Sequence, residues 1–183
     1  QLFWFAQQVN DKGETSISAV LTADIVVNEN IFDENGNLIS DLEIWTPIGN
    51  ESNKYTGTFD EQNHTISGLY FDKSTAFVGL FGYNKGTIKN VGIIDSYFKG
   101  ENNVGGVCGY SLGTITNSYN TSTVSGTNNS VGGVCGRNQS GTIENSYNTG
   151  SVSGSGWRVG GVCGVNSSKM ENSYNTGSVS GAS

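Results

Sequence analysis

Apolar residues reach this chain in short bursts, not in helical stripes. From residue 77 they come as Phe77-Val78-Gly79-Leu80-Phe81-Gly82, Val104-Gly105-Gly106-Val107-Cys108-Gly109, Val131-Gly132-Gly133-Val134-Cys135-Gly136 and Val159-Gly160-Gly161-Val162-Cys163-Gly164. Their starts lie 27, 27 and 28 residues apart. Between bursts the pattern is polar, broken by Thr87-Ile88, Thr114-Ile115 and Thr142-Ile143 and by Ser-Val-Ser-Gly stretches. Short β-branched runs bounded by Gly, Asn and Ser predict strands. No stretch beyond residue 77 holds an apolar 3.6 period, so helical repeats are excluded. A fixed period of this size predicts a solenoid in which each repeat is one coil. The expected fold is all-β: a right-handed parallel β-helix with three short strands per coil, its repeats at 77–103, 104–130, 131–158 and 159–183.

The register is tightly kept. Asn90, Asn117, Asn145 and Asn172 share one repeat position, and 14 residues separate each of the first three from the next repeat start. The additional residue of the third repeat therefore falls between Gly136 and Asn145, in Arg137-Asn138-Gln139-Ser140. Stacked coils require this, because a slipped strand loses register with both neighbours.

The N-terminal part reads differently. Leu2, Phe5, Ala6 and Val9 place apolar side chains on one face of a short helix, expected to cap the open end of the solenoid. Ser16 to Val27 reads as strand. Thr56 to Asp60 and Thr65 to Phe71 read as the first coil, Thr65-Ile66 echoing the later Thr-Ile pairs. This divides the chain into a cap, 1–56, made of the short helix plus strands, and a β-helix, 57–183.

Composition narrows the class. Glycine is 27 of 183 residues, proline is 1, and charged residues are 14%. That is not a solvated disordered tail. No apolar run approaches the length of a membrane span, so no membrane insertion is expected in this segment. Gln1 stands where an initiator Met would be, and Ser183 falls in mid-repeat; the chain reads as a piece of a longer protein whose further domains are its nearest partners. Ser183 is expected to leave a strand edge that another coil or cap would cover. The net charge of −7 is uneven: residues 1–103 carry Lys 6 against Asp plus Glu 14, whereas residues 104–183 carry three cations against two acids. There is no basic stripe, which excludes nucleic acid as a partner.

Several columns of the repeat are candidates for chemistry. Cys108, Cys135 and Cys163 share the position that Phe81 fills in the first repeat, which makes it an inward slot. Three thiols without a recurring His give neither a paired disulfide set nor tetrahedral closure, so buried free thiols are expected, with no metal and no cofactor. The Asn column suits left-handed corners, with each amide bonded to the next. Tyr119, Tyr147 and Tyr174 form a second column. Pointing outward, they would offer a platform to sugar rings; pointing inward, they would be core. Trp157-Arg158 is an outlier in a loop that otherwise reads Asn and Ser, and both residue types are enriched at interaction hot spots. Trp157, Arg158, Tyr119, Tyr147 and Tyr174 are the expected ligand contacts. Asp33-Glu34-Asn35-Gly36-Asn37 resembles half of a calcium loop but lacks the downstream Glu, and Asn35-Gly36 is a hairpin signal, which is the preferred reading.

At this point the residues resemble a known family. Gly79-Leu80-Phe81-Gly82 fits the GLUG motif, and Gly106-Val107-Cys108-Gly109, Gly133-Val134-Cys135-Gly136 and Gly161-Val162-Cys163-Gly164 are degenerate forms. Trp4-Phe5-Ala6, Leu21 to Ile25, Trp45 to Gly49 and Phe59 to Tyr70 look like the region that precedes such repeats. Proteins of this kind are large, secreted or surface-attached bacterial proteins, including adhesin-like proteins and peptidases related to IgA proteases. The resemblance implies a β-helix and an extracellular or cell-surface location. It transfers no activity, because in those peptidases the chemistry sits elsewhere in the chain.

The residues themselves argue against catalysis here. His64 is the one histidine, so the paired His of a zinc hydrolase is missing, and neither a nucleophile elbow nor a P-loop occurs. The coils from 104 onward contain no Asp, leaving Asp60, Asp72 and Asp95 scattered near the first coils. The expectation is a non-catalytic structural or adhesive module: a rigid spacer that touches a host glycan or host protein. The alternative is a carbohydrate-active β-helix, a lyase or hydrolase with its acids in the N-terminal half. Acids gathered on one solvent face would favour the alternative, and scattered acids the spacer.

Overall fold

The computed structural model describes residues 1–181; Ser183 and the strand edge expected there lie outside the described residues. Leu2–Asn10 is the helix, and its buried residues are Leu2, Phe5, Ala6 and Val9, the face expected from the apolar spacing. The strands that follow stack into a parallel β-solenoid. All strand pairs join one coil to the next with residues 26 to 41 positions apart, and the sheets are up to six strands deep.

From residue 104 each coil carries five short strands, not the expected three; the coil before it has four, with Val78 joined to Val104 by a single bridge. In one coil they are Val104–Gly105, Cys108–Ser111, Thr114–Thr116, Tyr119–Asn120 and Thr123–Gly126. The two-residue members are too short to register as separate apolar runs, so sequence periodicity merges them with their neighbours. Ala19–Val20 and Ile25–Val26 add to the first complete strands through Ala19↔Phe59 and Ile25↔Ile66, so parallel stacking reaches back to residue 19.

Alternation puts one residue of each strand inward. Phe59, Ile88, Ile115 and Ile143 form one buried column in register. Phe81, Cys108, Cys135 and Cys163 form another; all three thiols are free, and Cys108 and Cys135 are fully buried. The core is broad and aromatic near the helix, where Phe5 meets the rings of Tyr55 and Phe59 at 5.9 and 5.7 Å. It narrows to Val, Ile and Cys in the later coils. The helix thus covers the wide end of the stack and shields apolar surface that the first coil would otherwise leave in water.

Two register details differ from, or sharpen, the sequence alignment. Val78, not Phe77, stands beside Val104, while Phe81 stays beside Cys108. The first repeat therefore spans in two residues what the later ones span in three, and Phe77 falls in the column of Asn103, Ser130 and Arg158, all at positive φ between 53° and 69°. The additional residue of the third repeat lies between Asn138 and Thr142, inside a turn closed by Asn138 Nδ2 donating to the Gly141 carbonyl at 3.2 Å.

Candidate ligand-contact surface

The Tyr column points outward. Tyr119 and Tyr147 are half-buried, and Tyr174 is 56% exposed. Their rings stack face to face, with centroids 5.0 and 5.2 Å apart and planes within 4° and 7° of parallel. Parallel stacking along the coil axis turns the faces toward one another, so the column presents ring edges and a row of hydroxyls. The rung before the column is Gly92, and its missing side chain leaves the space that the Tyr119 ring occupies.

Trp157 and Arg158 sit at a different corner, in the turn before the strand Val159–Gly160. Trp157 is 78% exposed. Arg158 holds φ 69°, the left-handed corner shared by Asn103 and Ser130, and its carbonyl accepts the N–H of Val131 at 3.1 Å. The backbone of this pair is fixed by the coil below while its side chains stand in solvent. The five expected contacts are therefore divided between two separate columns.

The corner Asn column has the geometry expected of it. Asn90, Asn117, Asn145 and Asn172 all take φ between 48° and 56°. Asn117 Nδ2 donates to Asn90 Oδ1 at 3.2 Å, Asn145 Nδ2 to Asn117 Oδ1 at 3.3 Å, and Asn90 Nδ2 to Asp60 Oδ1 at 2.8 Å. A second, buried Asn row was not visible in the sequence. Asn120 Nδ2 donates to Asn148 Oδ1 at 2.8 Å and Asn148 Nδ2 to Asn175 Oδ1 at 2.7 Å, and each amide also closes a turn within its own coil. Such amides go inside because the coils above and below satisfy them as water would.

Four acids of the N-terminal half are held one by one. Asp60 meets Lys89 at 3.0 Å and Asp72 meets Lys99 at 3.2 Å. Asp24 accepts the N–H of Thr65 at 2.8 Å and lies 3.4 Å from His64 Nδ1; that backbone hydrogen bond chiefly holds its carboxyl below the usual range. Asp33 accepts the N–H groups of Asn35 and Asn37 at 2.9 and 2.8 Å, and Phe32 bridges Leu38 in antiparallel sense, which makes the segment a hairpin turn.

Glu61 stands apart and nothing in the sequence marked it. It is fully buried, its Oε2 accepts the N–H of Gly92 at 2.6 Å, and its Oε1 has no partner. Burial pushes its pKa up to about 9, so the carboxyl stays protonated at neutral pH. Closed off from solvent, it cannot reach a substrate.

A groove of about 600 Å³ runs between the helix and residues 18–25, lined in part by Trp4, Val20 and Phe59. None of the five expected contacts lines it. Among the described residues no group of His, Cys, Asp and Glu is arranged to hold a metal, and no helix is long and apolar enough to cross a membrane.

Comparison with known proteins agrees with the geometry. Residues 100–125, 127–153 and 155–180 match the family described as the GLUG motif. The matched stretches begin after Gly79-Leu80-Phe81-Gly82. No curated protein matches the chain. Among solved structures, a "putative immunoglobulin A1 protease" from Bacteroides ovatus is similar with a TM-score of 0.60 and 20% sequence identity, over 94% of this chain and 66% of that one. At that identity the likeness is one of fold.

Proposed function

We propose that this segment is a non-catalytic repeat module of a secreted or surface-attached bacterial protein, acting as a rigid spacer that also touches a host glycan or protein. The observation that carries the reading is the unbroken stacking. The Asn, Tyr and Cys columns pass from coil to coil in register, which leaves no hinge along the stack. The contacts proposed for the adhesive role are Trp157 and Arg158 at one corner and the exposed edges of Tyr119, Tyr147 and Tyr174 at another. The likeness to the Bacteroides ovatus protein supports the setting, not an activity.

The carbohydrate-active alternative needs paired carboxylates open to solvent. Asp60 and Asp72 are each tied to a lysine, and Glu61 is enclosed. This separation supports the spacer reading.

A glycan-array screen of the purified segment, with Trp157→Ala and Tyr174→Ala beside it, tests the adhesive part. Selective binding that either variant weakens supports it. Binding that neither variant changes overturns the contact assignment, and no binding to any glycan or host surface protein leaves only the spacer.

A further inference from the structure

A third outward column differs from the others. Tyr83, Tyr110, Arg137 and Val165 occupy one repeat position in register across four coils. The columns around it vary less: Phe81 is followed by three Cys on one side, and Thr87, Thr114 and Thr142 by Lys169 on the other. This column changes from aromatic to cationic to aliphatic, and its side chains form a local structure. Tyr83 and Tyr110 lie 4.7 Å apart with planes splayed by 37°. The Lys54 ammonium sits 5.0 Å from the Tyr83 ring centre, and the Arg137 guanidinium 5.8 Å from that of Tyr110. The order along the axis is cation, ring, ring, cation.

Phe77 closes the group from the side, its ring 5.6 Å from Tyr83 and 5.9 Å from Tyr110. It does so with φ 62°, a conformation that disfavours an aromatic residue and that the same column gives elsewhere to Asn103 and Ser130.

The rings fix the two cations in place, so little side-chain entropy remains to be lost on binding. Arg137 Nε and Nη2 donate to Gln139 Oε1, which fixes the guanidinium plane and leaves further N–H donors free. Between the cations lie two phenol hydroxyls. A row of donors ending in a positive charge at each end, on a chain of net charge −7, fits a ligand with anions at intervals and hydroxyls between them. Arg137 stands one strand spacing, about 4.8 Å, beyond Tyr110, roughly the reach from a pyranose hydroxyl to a carboxylate on the same ring.

We propose that Lys54, Tyr83, Tyr110 and Arg137 form a docking row for a uronic-acid oligosaccharide laid along the solenoid axis, with its carboxylates at the two cations. This row lies on a different sheet from the Tyr119 column, while Arg158 stands in the Phe77 column beside it. Glu51 presents the one acid whose charge reaches Tyr83, and it opposes such a ligand.

The test is titration calorimetry of the segment with an oligogalacturonate, with a neutral maltooligosaccharide as control. Binding of the acidic probe alone is expected. Arg137→Gln and Tyr110→Ala should each weaken it about tenfold, roughly 1.4 kcal/mol, and Glu51→Gln should tighten it. Tyr174→Ala should leave it unchanged, which separates this row from the Tyr contacts proposed above. Melting curves identify any variant that has lost its fold, and Arg137→Gln, a change at a half-buried outward residue, serves if Tyr110→Ala does not fold. No binding, equal binding of both probes, or binding indifferent to Arg137→Gln overturns the proposal.

Discussion

Gly161 leaves open the space that the Asn175 amide fills: a side-chain carbon built on Gly161 would overlap Asn175 Cγ, Cβ and Nδ2. The same relation joins Gly106 to Asn120 and Gly133 to Asn148. The second glycine of each Val-Gly-Gly-Val burst is therefore there for the buried Asn opposite it, and not for a turn. Gly161→Ala should destabilise the protein by ~1–3 kcal/mol through overpacking. Because the three nearest atoms all belong to Asn175, the Gly161→Ala/Asn175→Ala double variant should be more stable than the two single losses added together. A denaturant double-mutant cycle reads this directly, and strict additivity would mean that the glycine serves something else.

The enclosed carboxyl of Glu61 gives stability a pH slope of unusual sign. Its pKa rises from 4.5 in the free chain to about 9 in the fold, mainly through burial. A raised pKa contributes stability that is fully present below about 4.5 and is lost as pH climbs through about 9. Asp24 and Asp60, whose pKa values are lowered, act only below the usual carboxylate range. Thermal melts from pH 5 to 9 should show a falling midpoint. Glu61→Gln, neutral at every pH and still able to accept from Gly92, should flatten that fall. A flat wild-type profile would sink the assignment.

The two Asn rows should respond differently to truncation. Asn148→Ala removes a buried amide bonded to Asn120, Asn175 and Gly150, and is expected to cost ~2–3 kcal/mol. Asn145 is exposed and at φ 49°, so Asn145→Gly, which suits that backbone, should cost well under 1 kcal/mol. Chemical denaturation of the pair decides; equal losses would mean that the outer row matters as much as the inner.

The thiols should be silent in the native state. Burial raises the Cys135 pKa, and the neighbouring Cys135 thiol, with burial, raises that of Cys163. Because the thiolate is the reactive form, iodoacetamide at pH 8 should leave the folded protein unmodified for hours and add three groups after denaturation. Rapid native labelling of Cys135 would show that the coils open.

Much of this architecture was legible in the sequence because stacking forces equal residues into equal places. The helix face of Leu2, Phe5, Ala6 and Val9, the inward Cys column and the left-handed Asn corners all follow from spacing and residue type. Five strands per coil did not follow, since two-residue strands such as Val104–Gly105 carry no pattern of their own. Asn120 and Asn148 carried no sign of burial, because a single sequence shows an amide without the coil that satisfies it. Glu61 was hidden in the polar run Asp60 to Asn63, where only one of four polar residues turns inward. The Tyr column was found, but its direction depended on a bend at Asn117 that periodicity does not reveal.

The outer Asn row begins at Asp60, and that fixes more than one bond. A carboxylate only accepts, so Asn90 must turn its amine toward it and its carbonyl away. Asn117 must then do the same toward Asn90, and Asn145 toward Asn117. A single anion at one end thus dictates the orientation of every amide behind it, as the first domino in a row sets the direction of fall. The buried row runs the other way, with Asn120 donating to Asn148 and Asn148 to Asn175. The rod therefore carries amide lines of opposite sense, so a coil added after the last one would accept from the inner row and donate to the outer one.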